Sequence, residues 1–272
     1  MQTTFRACLF SFVSALVLST ALTSAATAQN ARSVSFPPTP EDWAALGKLP
    51  DLSGIWLPDL QDQRDQEDGN PPPWTPKAKA MMDAMIAREN DGGSHGIFVN
   101  CLPQGMPSFM AITHNAIEFL VTPGRITMTG ELDGNSVRRI YTDGRPHPED
   151  PDPSFSGHSI GRWENGQLIV DTVAIHPEVL IATTETAGVP NNGGMHIVER
   201  WEFANPNLLL NHMEITAPKV LTGTWKTTRK YFRNPGDNSE FVSGVCIEGN
   251  FEPTVDKDGN HIFVPRKYTF TR

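Results

Sequence analysis

The stretch Met195-His196-Ile197-Val198-Glu199-Arg200-Trp201-Glu202-Phe203-Ala204-Asn205-Pro206-Asn207-Leu208-Leu209-Leu210-Asn211-His212-Met213-Glu214-Ile215-Thr216 decides the fold class. Runs rich in apolar and β-branched residues, Met195 to Phe203 and Leu208 to Thr216, flank the turn Asn205-Pro206-Asn207, so the stretch reads as a β-hairpin. Residues two apart share a face of a strand. One face of the first run is Met195, Ile197, Glu199, Trp201 and Phe203; the other, His196, Val198, Arg200 and Glu202, has the composition of a solvated surface.

The same texture extends outward in both directions. Strands are expected at Ala116 to Thr122, Arg125 to Glu131, Arg138 to Thr142, Ser159 to Glu164, Gln167 to Ile175, Thr224 to Phe232 and His261 to Thr269. Asp133-Gly134, Asn165-Gly166 and Asp258-Gly259-Asn260 serve as turns. Consecutive strands with short connections argue against a parallel sheet, which needs long crossovers. The expected fold is mainly β, an antiparallel barrel or strongly curved sheet, because closure removes exposed strand edges. Asp51 to Trp56 reads as the first strand, and Gln61 to Pro73 as loop. Two short helices precede the strand-rich region. Thr39 and Pro40 signal one over Pro40 to Lys48. Thr75-Pro76 open another through Ala78, Met81, Met82, Met85 and Ile86 to Asn90, before Gly92-Gly93.

Arg6, the apolar run Ala7 to Leu22 and the triplet Ala26-Thr27-Ala28 have the order of a cleaved signal peptide over residues 1–28. A Pro-rich segment at 29–50 and a single β-rich domain over 51–272 follow, in a periplasmic or secreted protein. The chain carries a net charge of −9, and because Arg6 is the leader's only charged residue, cleavage near Gln29 leaves −10. An acidic surface offers no attraction to nucleic acid or anionic lipid. No stretch outside the leader approaches the roughly 18 apolar residues of a membrane helix. Cys8 departs with the leader, and the remaining pair, Cys101 and Cys246, is expected to form a disulfide in an oxidising compartment. It would close a loop of roughly 145 residues, a stabilisation of about 4–5 kcal/mol at most.

Ionisable groups on apolar strand faces must be paired, hydrogen-bonded or functional. Asp171 lies on the face Ile169, Asp171, Val173, Ile175, and Glu199 among Ile197, Trp201 and Phe203. Arg229 and Tyr231 share a face with Trp225 and Thr227 and could complement those acids. Two buried carboxylates near a guanidinium would divide acid and base roles. The competing reading is a structural ion pair, such as Glu199 with Arg229. A second constellation runs from Arg138 through Tyr141, Asp143, Gly144, Arg145 and His147, then across an acidic Pro-rich loop to Gly157-His158-Ser159-Ile160-Gly161-Arg162-Trp163-Glu164. Here Arg145 or Arg162 suits a carboxylate or phenolate, and His158 or His147 suits a proton carrier near neutral pH. The alternatives are a turn at Asp143-Gly144 and a strand-capping role for His158.

No metal site or cofactor is expected. The 8 histidines lack zinc-ligand spacing, and Asp256-Lys257-Asp258-Gly259-Asn260 begins like a calcium loop but has Lys267 where the closing carboxylate belongs. No serine-hydrolase, nucleotide-phosphate or dinucleotide fingerprint occurs.

Asp51-Leu52-Ser53-Gly54-Ile55-Trp56, Cys101-Leu102-Pro103, Thr142-Asp143-Gly144-Arg145, Gly157-His158-Ser159-Ile160-Gly161-Arg162-Trp163-Glu164 and Val170-Asp171-Thr172 resemble a family of exported, poorly characterised bacterial proteins. The resemblance implies a shared fold and pocket and carries no activity. In outline the strand layout is also similar to lipocalin-like barrels, by fold-level analogy alone.

The expected function is a small-molecule-binding barrel, an enzyme of cofactor-free acid–base chemistry (lyase, isomerase or hydrolase) on a partly apolar, anionic or phenolic substrate. Asp171, Glu199 and His158 are its proton-transfer candidates. Arg145, Arg162, Arg229, Tyr141, Tyr231 and Trp163 are its substrate-binding candidates. The rival is a non-catalytic periplasmic binder or carrier.

Overall fold

A computed structural model describes residues 37–90, 103–112, 116–131, 136–183, 187–236 and 251–265. The signal-peptide segment, both Cys101 and Cys246, and the Asp133-Gly134 turn lie outside the described residues.

The helices α1 (Pro40–Leu46), α2 (Leu60–Gly69) and α3 (Pro76–Asn90) alternate with β1 (Ile55–Pro58), and α4 (Ser108–Ala111) follows. Then come β2 (Ile117–Thr122), β3 (Arg125–Gly130), β4 (Val137–Tyr141), β5 (His158–Glu164), β6 (Gln167–Val173), β7 (Leu180–Ala182), β8 (Gly188–Pro190), β9 (His196–Asn205), β10 (Leu208–Thr216), β11 (Trp225–Arg233), β12 (Phe251–Val255) and β13 (His261–Pro265). Among the described residues, nine strands close a barrel in the order β1-β11-β10-β9-β6-β5-β4-β3-β2, and β7-β8 and β12-β13 form separate hairpins. Mainly β, barrel-shaped and introduced by short helices, the fold is the expected one.

Beyond α4, β7, β8 and β12, which add to the expected elements, two details depart from expectation. The segment Gln61 to Pro73 is not all loop, because α2 forms within it. Asp59 accepts from the Asp62 amide as N-cap, and Gln61 and Gln66 donate to Asp65 and Asp62 one turn away. Gln66 also accepts from the Thr227 hydroxyl and the Thr228 amide, both at 3.0 Å. Local capping and long-range bonds to β11 therefore hold a helix that has no apolar periodicity to announce it. The second departure is β4–β5, which pair in parallel through Ile140↔Ser159 and Tyr141↔Ile160. The connection over 142–157 makes this possible, and it carries most of the second constellation.

Alternation sorts the barrel walls. Trp56, Ile140, Val170, Ile197, Trp201, Met213, Trp225 and Tyr231 point inward and are at most 2 % exposed. A ligand-sized void would leave exposed area on its lining, so the interior around these residues is filled by side chains. Gly161 belongs to this packing: a Cβ there would stand 2.7 Å from Ile140 Cγ2. At the mouth where β3 ends, Phe109 of α4 fills the space over Gly130, and Tyr231 donates to the Met110 carbonyl at 2.8 Å. Asp256 accepts from the amides of Asp258 and Asn260, so the calcium-like motif forms the β12–β13 turn.

Candidate functional site

The two strongest sequence candidates, Asp171 and Glu199, do not share a site. In β6 the inner face is Leu168, Val170 and Thr172, which leaves Asp171 on the outer wall with 32 % of its side chain exposed. Val170 is the register partner of Glu199, and Asp171 that of Val198. The carboxylates thus project from opposite sides of one sheet. Period two places residues on a common face but cannot say which of two apolar faces looks inward.

Glu199 is fully buried and belongs to the core. Arg138 Nη1 donates to its Oε1 at 3.0 Å and Nη2 to its Oε2, while Asn211 donates to Oε1 at 3.0 Å. The same guanidinium reaches Thr172 Oγ1 at 2.9 Å and Ser159 Oγ at 3.2 Å. One network therefore joins β4, β5, β6, β9 and β10, and it spans the short parallel β4–β5 seam. The ion pair expected between Glu199 and Arg229 is made instead with Arg138. Arg229 donates to the Ala111 carbonyl at 2.5 Å and to Thr227 Oγ1 at 2.6 Å. Burial pushes the Tyr231 phenol well above its ordinary range, against the smaller opposing pull of Arg229. Arg162 pairs with Glu164 on the surface at 2.5 Å, and Trp163 packs half-buried against the core. Among the described residues, Glu199, Arg229, Tyr231, Arg162 and Trp163 make no hydrogen bond or ion pair with the outer-wall cluster around Asp171.

That cluster is assembled by the 142–157 connection folding back over β5, β6 and β9. His147 Nε2 lies 3.1 Å and His196 Nε2 3.0 Å from Asp171 Oδ1, and His147 Nδ1 lies 2.8 Å from His158 Nδ1. The Tyr141 ring stacks on His158 with centroids 5.4 Å apart and an interplanar angle of 25°. On the same ring rests Arg145, its guanidinium carbon 4.2 Å from the centroid. Asp143 holds Arg145 through contacts at 2.5 and 2.9 Å, and that guanidinium keeps the Asp143 carboxyl below the usual carboxylate range. His158 is held below the ordinary imidazole value, first by burial and then by His147 and Arg145 beside it.

With the three rings neutral, hydrogen-bond complementarity assigns the tautomers. An ionised Asp171 can only accept, so His147 and His196 donate through Nε2–H. His147 then presents an acceptor at Nδ1, which receives the proton on His158 Nδ1. His158 Nε2 is left with its lone pair and makes no hydrogen bond among the described residues. His147 and His196 both meet Asp171 Oδ1, and His158 meets His147; among the described residues no group of His, Cys, Asp or Glu converges to hold a metal.

Tyr141, Asp143 and Arg145 also line a cleft of about 400 Å³, completed by Pro38, Trp43 and Arg125. The chain matches no known protein family and no curated protein. A larger groove of about 760 Å³ borders the Asn165-Gly166 and Asn205-Pro206-Asn207 turns. Its charged groups are already committed: Arg233 donates to the Asp51 carbonyl at 2.8 Å, and Glu202 meets Gln167 and His212. In the smaller cleft Arg145 and Asp143 pair with each other but the Arg125 guanidinium makes no hydrogen bond or ion pair among the described residues, so that cleft is the better site.

Sequence reasoning placed Tyr141, Arg145, His147 and His158 in one constellation and Asp171 in another with Glu199 and Arg229, and the structure sets Asp171 beside the first. It gave Arg138 no role of its own within that constellation, and it passed over His196, which looked solvated, and Arg125 and Trp43. The register Tyr141↔Ile160↔Asp171↔Val198 brings the first group together, and no local pattern encodes it.

Proposed function

We propose that this protein is an exported, cofactor-free acid–base enzyme acting on a small, partly apolar, anionic or phenolic molecule in the cleft beside Tyr141, by a lyase, isomerase or hydrolase step. The observation that carries the proposal is the relay His158–His147–Asp171. His158 Nε2 takes a proton from the substrate, and the imidazolium so formed donates from Nδ1 to His147 Nδ1. Passing that proton on moves positive charge toward the Asp171 carboxylate, which stabilises it; the reverse path returns a proton to the product. The lowered proton affinity of His158 keeps its base form populated at neutral pH. Arg145 and Arg125 leave the cleft, beside Asp143, with one positive charge to hold substrate negative charge, and Asp171 and His147 act by positioning and charge. Glu199 is left to the core.

A panel of phenolic esters, hydroxy acids and unsaturated acids, followed by NMR with purified protein, tests the proposal. His158→Gln should lower turnover by about 10²–10⁴-fold, the usual contribution of a general base, and Asp171→Asn by less. Turnover unchanged in His158→Gln with folding intact would remove the catalytic role.

One observation favours a carrier instead: Tyr141, not His158, lines the cleft. Native mass spectrometry of protein from its own host separates the two, since a carrier retains a ligand. Export itself is tested by finding a mature chain that begins at Gln29, with Cys101 joined to Cys246.

A further inference from the structure

We infer that the cleft beside Tyr141 selects a small aromatic monocarboxylate; this rests on the proposed location of the site but not on what His158 does there. A volume of about 400 Å³ is near the low end of small-molecule pockets, roughly 300–1,000 Å³. Its apolar lining is flat: the indole of Trp43, the rings of Pro38 and Pro123, and Tyr141. Trp43 is 51 % exposed, whereas Trp56, Trp201 and Trp225 are at most 2 % exposed. An indole left in water at the rim of a cleft is a surface on which an aromatic ring gains stacking and apolar burial.

The charges set the other half of the ligand. Arg125 and Arg145 line the cleft together with one acid, Asp143, which is bound to the Arg145 side chain by three contacts. The balance is one positive charge, on the surface of a chain whose net charge is −9. Arg125 opens β3 as the register partner of Tyr141, and its guanidinium makes no hydrogen bond or ion pair among the described residues. A guanidinium with its fork open matches one carboxylate. One cation beside a flat apolar wall fits a ring bearing a single carboxylate better than a dianion or a neutral polyol.

Calorimetry and saturation-transfer NMR on the full protein, with benzoate, naphthoate and their carboxamides as probes, provide the test. The carboxylates should bind at least about tenfold more tightly than the amides, as for one charge-assisted hydrogen-bond pair. Arg125→Gln should remove that preference by weakening the carboxylates alone. Trp43→Ala should weaken acid and amide together. Both residues are exposed, and circular dichroism checks that the variants fold. Equal binding of acid and amide, or a preference that survives Arg125→Gln, would overturn the inference, as would a preference for phenols over carboxylates. Carboxylate binding without turnover would sink the acid–base reading and support the ligand class; turnover of substrates lacking a carboxylate would do the opposite.

Discussion

Replacing Glu199 by glutamine isolates the contribution of the buried network. Glu199 is fully buried and Arg138 is 1 % exposed, with Asn211, Ser159 and Thr172 supplying the surrounding hydrogen bonds. The substitution keeps the shape but leaves the guanidinium charged in the core, with two hydroxyls and a neutral amide for partners. Removing one member of such a pair costs about 3–5 kcal/mol, because the remaining charge has lost its compensation. Against a typical total of about 5–15 kcal/mol, that is a large fraction of the stability. Arg138→Met should cost a similar amount. The double variant Arg138→Met, Glu199→Met should be more stable than either single variant, since no uncompensated charge stays buried. Guanidinium unfolding followed by tryptophan fluorescence measures all four proteins, and the coupling is read from the double-mutant cycle. Hydrogen exchange in Glu199→Gln should quicken first at the β4–β5 seam, where only two register pairs hold the strands. A loss below about 1 kcal/mol, or a double variant as unstable as the sum of the singles, would refute the assignment of this pair as the tie across five strands.

Three further outcomes are expected. Gly161→Ala should lower stability by about 1–3 kcal/mol, because the new methyl meets Ile140 Cγ2 at 2.7 Å in a filled interior; an unchanged melting temperature would mean the interior yields there. His158 binds its proton less readily folded than unfolded, so its contribution to stability is present above the unfolded value of about 6.5 and is lost as pH falls through that value toward the lower folded one. His158→Gln should flatten that part of the stability profile, and a slope unaltered between wild type and variant counts against the shift. Gln66→Ala removes the acceptor for the Thr227 hydroxyl and the Thr228 amide and should cost about 1–3 kcal/mol, with faster exchange across α2; normal α2 protection would show that other contacts hold the helix.

The barrel was readable because its strands alternate and their turns are chemically marked. Asn165-Gly166 adopts the positive φ values of 50° and 79° that a tight hairpin demands. By contrast, α2 has no apolar stripe and depends on β11 for its partners, so a local reading takes it for loop. The three-residue strands β7 and β8 were missed for lack of length. The site divided along the same line. Inward placement of Glu199 and Arg229 followed from their neighbours, because each shares a face with large apolar residues. Asp171 was assigned a buried face because both sides of β6 are apolar in sequence. Its two histidine partners come from a loop and from the outer face of β9, and only register unites them. Arg138 gave no sign of burial, since it stands next to the exposed Arg139 and its partner is a strand on the far side of the parallel seam.

The relay depends on a particular placement of protons, and nitrogen-15 spectra of the histidine rings at neutral pH read that placement directly. His147 should carry its proton on Nε2 and His158 on Nδ1, with Asp171→Asn scrambling the first and, through it, the second. A wild-type His158 protonated on Nε2, or rings that average freely between both forms, would contradict the assignment of His158 Nε2 as the base.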